Sequence, residues 1–191
     1  IITILGSNVN PAERTRTGIS QKIAKKQGIT WKNIYSGIFR DLDEILLPMG
    51  IAEENGRLPL KRGPKALQEK GIPYYHLTKK GVLVKLSING VENMSSEFKK
   101  FFAESEPKEK EFANILSKFM TNSPTFTYSI FQKYVKAFCE DKIKELLPFD
   151  LSKLQDIPDE NLIIQKEIVL AFEKLSSKEK KEAIVFLEKI T

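Results

Sequence analysis

At 191 residues, with 41% hydrophobic and 29% charged side chains, the chain can bury a sound core as one large domain or two small ones. Its longest apolar runs, such as Ile168-Val169-Leu170-Ala171-Phe172, are far too short to cross a bilayer, and no secretory signal is visible. One cysteine, Cys139, excludes an intrachain disulfide, and with one histidine, His76, it excludes zinc sites of the usual Cys/His kind; a reducing, cytoplasmic setting fits. The net charge of +6 is unevenly held: residues 1–92 carry 15 Lys/Arg against 8 Asp/Glu, whereas residues 93–191 carry 16 against 17. A polyanion-binding module joined to a neutral partner domain has this distribution.

Ile1 to Leu5 are mostly apolar and read as the end of a helix or as a short strand, after which Asn8-Val9-Asn10-Pro11 breaks the chain. Thr17 is placed to cap a helix over residues 18–27, with Ile19 and Ile23 four apart on one face. Gly28 suits the left-handed position that ends it. Thr30 caps the next helix, in which Ile34, Ile38, Leu42, Ile45 and Leu46 recur at three- and four-residue steps until Pro48 and Gly50 stop it. Gly37 costs this helix about 1 kcal/mol relative to Ala, which close helix packing would explain. Ile51-Ala52-Glu53-Glu54 reads as a strand entering a long loop, and Tyr74-Tyr75-His76-Leu77 as the strand returning from it, with a helical turn available at residues 66–70. Thr78 caps a helix through Leu86.

Ile88-Asn89-Gly90-Val91 has turn chemistry, and residues 93–191 beyond it contain no glycine and read as successive helices. The first two cover residues 94–104 and 108–121. Ser123-Pro124 opens a third that runs to Leu147 and stops at Pro148. Pro158-Asp159 opens another through Leu175, and Ser176 with Glu179 forms a capping box for a last helix to Ile190. Phe131, Tyr134, Val135 and Phe138 make an aromatic stripe at helical spacing, with core packing as the default and a dimer interface as the sharper idea. Cys139 lies in the same apolar pattern and reads as core.

Between Arg14 and Arg40 the chain carries seven cations (Arg14, Arg16, Lys22, Lys25, Lys26, Lys32, Arg40) and no acid. Neighbouring cations repel, so a fold tolerates such a block most easily where a polyanion meets it. With Ile34, Ile38 and Leu42 turned inward, the helix over residues 30–46 presents Thr30, Lys32, Asn33, Ser36 and Arg40 outward; Asn can read adenine, and Lys or Arg can read guanine. Arg14 and Arg16, with the hydroxyls of Thr15 and Thr17 near a helix N-terminus, suit phosphate oxygens. Arg57, Lys61, Arg62 and Lys65, stiffened by Gly63-Pro64, make a basic loop able to reach phosphates or the minor groove. Trp31, at a helix start, reads as a core edge. Asp41, Asp43, Glu44, Glu53 and Glu54 follow the basic block, and Asp41 and Glu44 share a helix face. No histidine, phosphate loop or nucleophile motif accompanies them, so a face turned away from a polyanion explains them better than acid–base catalysis.

The order helix, turn, helix, strand, basic loop, strand, helix is that of a winged helix-turn-helix. Ile23-Ala24-Lys25-Lys26-Gln27-Gly28-Ile29-Thr30, followed by Ile34-Tyr35-Ser36 and Leu42, resembles the core of that family, and Met49-Gly50-Ile51-Ala52-Glu53 resembles its next strand. Tyr74-Tyr75-His76-Leu77-Thr78-Lys79-Lys80-Gly81 is similar to the pattern that closes the wing in transcriptional regulators of the MarR and PadR kind. The resemblance covers residues 1–88. The chain departs from the pattern in its long wing, residues 56–73, and in a first helix that is mostly absent. The resemblance implies that the second helix of the unit lies in the major groove and that His76 sits, partly buried, at the wing base.

The expected fold is therefore mostly α: a winged helix-turn-helix with a small β wing over residues 1–88, and an all-α dimerisation or partner-binding domain over residues 93–191. The expected function is sequence-specific binding of double-stranded DNA by a transcriptional regulator. It would act by binding alone, without enzymatic activity, cofactor or metal, and as a homodimer through the helices at residues 124–147 and 177–190. The competing reading is a winged-helix interaction module of a larger assembly whose basic face meets RNA or an acidic protein.

Overall fold

The computed structural model describes residues 1–7, 10–60, 65–88, 94–103, 105–107 and 109–190. The chain is mostly helical, with one small two-stranded antiparallel sheet in its N-terminal half. The expected breaks at Asn8-Val9 and Asn89-Gly90-Val91, and Lys61, Arg62, Gly63 and Pro64 of the basic loop, lie outside the described residues. Packing divides the chain into two compact units, Ile1–Ser152 and Lys153–Thr191.

The first unit opens with α1 (Ile2–Ser7), a 3-10 turn at Pro11–Arg14, α2 (Arg16–Gln27) and α3 (Trp31–Arg40). Thr15, not Thr17, caps α2: its hydroxyl accepts from the Gly18 N–H at 3.0 Å and donates to the Ala12 carbonyl at 2.9 Å. The helix therefore starts two residues earlier than its apolar spacing suggests. Gly28, at φ 67°, ends α2 and donates its N–H to Ala24, a left-handed conformation that costs glycine nothing. Thr30 stands at the cap position of α3, but its side chain makes no capping bond. Beyond Arg40 the helix continues with wider, π-type turns over Asp41–Leu46, which keep Leu42 and Leu46 on the buried side.

The sheet pairs β1 (Ala52–Leu58) with β2 (Ile72–Leu77), Glu53 lying opposite His76 and Glu54 opposite Tyr75, with an irregularity before Arg57. The helical turn expected in the long connection is α4 (Lys65–Lys70). Thr78 caps α5 (Lys79–Leu86), accepting from the Gly81 N–H and donating to the Gly50 carbonyl at 2.6 Å. A Cβ at Gly81 would stand 2.0 Å from the Ile51 carbonyl oxygen, so only glycine lets α5 begin this close to β1. Leu5, Ile19, Ile38, Leu42, Leu46, Ile51, Tyr75 and Leu77 form one buried cluster beneath these elements.

Three further helices complete the unit: α6 (Met94–Ala103), α7 (Ala113–Asn122) and α8 (Pro124–Cys139). Phe149 sits at the centre of their core, with the rings of Phe101, Phe102, Phe131 and Tyr134 at centroid distances of 4.9 to 5.9 Å. Phe131 and Tyr134 are fully buried there, so the central residues of the aromatic stripe pack inside their own unit. α8 stops at Cys139 rather than Leu147. Asp141 takes a positive φ of 57°, and the following segment folds back to bury Ile143, Leu146 and Phe149. Cys139, expected in the core, is exposed at this turn. Gly37 likewise departs from expectation, since a Cβ there meets no atom within 4 Å.

The composition change near residue 90 is bridged by contacts within this unit. Lys79 of α5 donates to Glu109 at 2.5 Å, and buried Lys85 donates to the Gly6 carbonyl at 2.8 Å while lying 3.6 Å from Glu97 of α6. Burial pushes the Lys85 ammonium below its ordinary 10.5, against the pull of Glu97. The second unit holds α9 (Glu160–Lys174), capped by Asp159, and α10 (Ser177–Ile190), which opens with the expected Ser176–Glu179 capping box. No helix among the described residues is long and apolar enough to cross a membrane.

Candidate nucleic-acid interface

The basic stretch falls on the two helices that meet at Gly28. Ile19 and Ala24 of α2 and Ile38 of α3 are buried, so the opposite faces of both helices stand outward. On α3 that face carries Lys32, Asn33, Ser36 and Arg40, all exposed, with Thr30 exposed at its start. Lys25, Lys26 and Gln27 are exposed in the last turn of α2, just before the turn. Arg40 keeps two-thirds of its side chain in solvent and lies 3.5 Å from Asp41. Trp31 is half-buried and meets Tyr35 edge-to-face.

The other predicted cations are held differently. Arg16 pairs with Asp43 at 2.5 Å, and its guanidinium lies 4.7 Å from the Phe39 ring centroid and 5.3 Å from that of Tyr75. It therefore ties α2 to the π-type turns and to β2. Arg14 lies over the Tyr74 ring. Arg57 is clamped by both oxygens of Glu54, at 2.6 and 3.0 Å. Lys65 is exposed at the head of α4. Arg16 and Thr17 also line a small cleft of about 140 Å3 with Tyr35, Ile72 and Pro73, between α2, α3 and the start of β2.

Sequence reading missed what the acids after the basic block do. Asp43 holds Arg16, Glu54 holds Arg57, and Glu53 faces the His76 Nε2 at 3.1 Å across the sheet. A faint signal existed in the three-residue spacing of Glu54 and Arg57. The Arg16–Asp43 pair, 27 residues apart, left none. Glu109 was missed as well. Burial pushes its carboxyl up, but hydrogen bonds from Lys79 and from the Phe149 and Glu106 N–H groups outweigh burial and hold it below the ordinary 4.5.

A larger cleft of about 450 Å3 opens beside β2, lined by Glu53, His76, Lys79, Val82, Lys100 and Phe101 among others. Lys79 is matched by Glu109, and Glu97 by Lys85 and Lys100, within the fold. No cluster of His, Cys, Asp and Glu among the described residues could hold a metal ion. Comparison with protein-family models, characterised proteins and solved structures finds no match to this chain.

Proposed function

We propose that residues 1–88 bind double-stranded DNA as a winged helix-turn-helix, with α3 in the major groove, and that the protein regulates transcription by this binding alone. The observation that carries the reading is the outward face of α3, where Lys32, Asn33, Ser36 and Arg40 are exposed together beside Lys25 and Lys26 of α2. Asn33 and Arg40 have the chemistry to read base edges, and the lysines have the charge to neutralise phosphates. Arg16, engaged by Asp43, supports the platform, whereas Arg57, held by Glu54, stays exposed on β1. Lys65, exposed at the head of α4, adds a further cation, and Lys61 and Arg62 are its near neighbours in the sequence. A second reading, binding of RNA or single strands, draws on the exposed ring of Phe39 within the same stretch, since aromatic faces stack on unpaired bases.

A salt titration of the full chain against a random duplex, its separated strands and RNA of the same sequence tests the proposal. Duplex affinity is expected to fall with a log–log slope of about −0.9 for each phosphate neutralised. No duplex binding at low salt, or tighter binding of RNA or single strands, would overturn the proposal and favour the second reading.

A further inference from the structure

The Lys153–Thr191 unit holds two helices, α9 and α10. In place of a core the unit has two apolar girdles, Ile168-Val169-Leu170-Ala171-Phe172 in α9 and Ala183-Ile184-Val185-Phe186-Leu187 in α10. Five consecutive residues pass more than once round a helix, and a helix apolar on every side is one with neighbours on every side. Yet no residue of α9 is buried, and Val169 and Phe186 are 66% and 60% exposed.

The rims of the girdles say what covers them. Lys166-Glu167 and Glu173-Lys174 bracket the first, and Lys181-Glu182 and Glu188-Lys189 the second. Rims that pair both signs at each end offer little to a polyanion or to a strongly basic surface. A two-fold axis, however, can set each lysine against the glutamate of an identical rim. We infer that the α9–α10 pair is a self-association surface whose occupant is the same pair of a second copy, four helices closing one core around the girdles. The inference rests on this unit alone and is independent of the nucleic-acid reading.

Sedimentation of the full chain without nucleic acid tests it, comparing the wild type with Val169→Glu, Phe186→Glu and the apolar controls Val169→Leu and Phe186→Leu. Both positions tested are solvent-exposed in the single chain and lie outside the first unit, which therefore keeps its core, as circular dichroism and thermal melting check. The wild type and the leucine controls are expected to be dimers at micromolar concentration. Each glutamate variant should raise the dimer Kd by about 30-fold or more. A wild type that stays monomeric at high concentration, or glutamate variants that dimerise as well as the wild type, would overturn the inference. Flotation with neutral phosphatidylcholine vesicles adds a further decision, since a monomeric wild type that floats assigns the girdles to a lipid surface instead. A persistent dimer that binds no duplex would leave this inference standing and remove only the DNA proposal.

Discussion

Asn33 and Arg40 on α3 differ in their expected task from Lys65 at the head of α4, although all three are exposed. A side chain that hydrogen-bonds a base edge distinguishes sequences, whereas one that meets a phosphate does not. Asn33→Ala and Arg40→Ala should each lower affinity for the preferred site by about 1–3 kcal/mol while barely changing affinity for unrelated duplex. Lys65→Ala should weaken every sequence alike and flatten the salt dependence. Competition binding with selected and random duplexes separates the two patterns. Equal losses on all sequences from the α3 substitutions would show that this helix reads no bases. Gly37 permits a cleaner test on the same helix. A Cβ there meets open space, and the residue lies inside α3 at an ordinary helical position. Gly37→Ala should therefore stabilise the protein by about 0.5–1 kcal/mol, read as a higher urea midpoint.

At the scale of elements, Glu109 joins parts of the chain that composition separates. One carboxylate accepts from Lys79 of α5 at 2.5 Å, from the Phe149 N–H at 2.9 Å and from the Glu106 N–H at 3.0 Å. These bonds hold its pKa below the unfolded value, so the folded state binds its proton less readily than the unfolded chain does. The stabilisation is present in full above 4.5 and is lost as pH falls through the lowered folded value. Glu109→Gln should cost about 2–3 kcal/mol at neutral pH and remove part of the acid-side decline in stability, as urea melts across that range would show. Such ties explain which parts of the fold were legible beforehand. Gly28, Thr78, Asp159 and the Ser176–Glu179 box act on residues within four positions of themselves, and their caps are readable from spacing alone. The end of α8 was not, because Ile143 and Leu146 continue a helical apolar rhythm while the backbone has already turned at Asp141. The same holds for the candidate interface. The outward residues of α3 follow from its periodicity, but the engagement of Arg16 by Asp43 and the burial of Lys85 depend on partners remote in sequence.

The net positive charge and the two apolar girdles fall in different units of the chain. Residues 1–152 carry 24 Lys/Arg against 17 Asp/Glu, and residues 153–191 carry 7 against 8. If the first unit meets duplex DNA and the second pairs with its own copy, the salt dependence of binding counts how many basic faces engage at once. Each face contributes a log–log slope of about −0.9 per phosphate it neutralises, and two faces held by one dimer contribute twice that. Phe186→Glu leaves every basic residue in place and removes only the pairing, since Phe186 lies on α10 and is exposed. On a duplex containing two half-sites one helical turn apart, about 34 Å, the wild type should show roughly twice the slope of Phe186→Glu. On a single half-site the two proteins should show the same slope. Fluorescence anisotropy over a series of salt concentrations measures both. Equal slopes on the two-site duplex, from a wild type that sediments as a dimer, would mean that its basic faces do not act on one duplex together. Pairing would then serve assembly rather than recognition of a palindromic site.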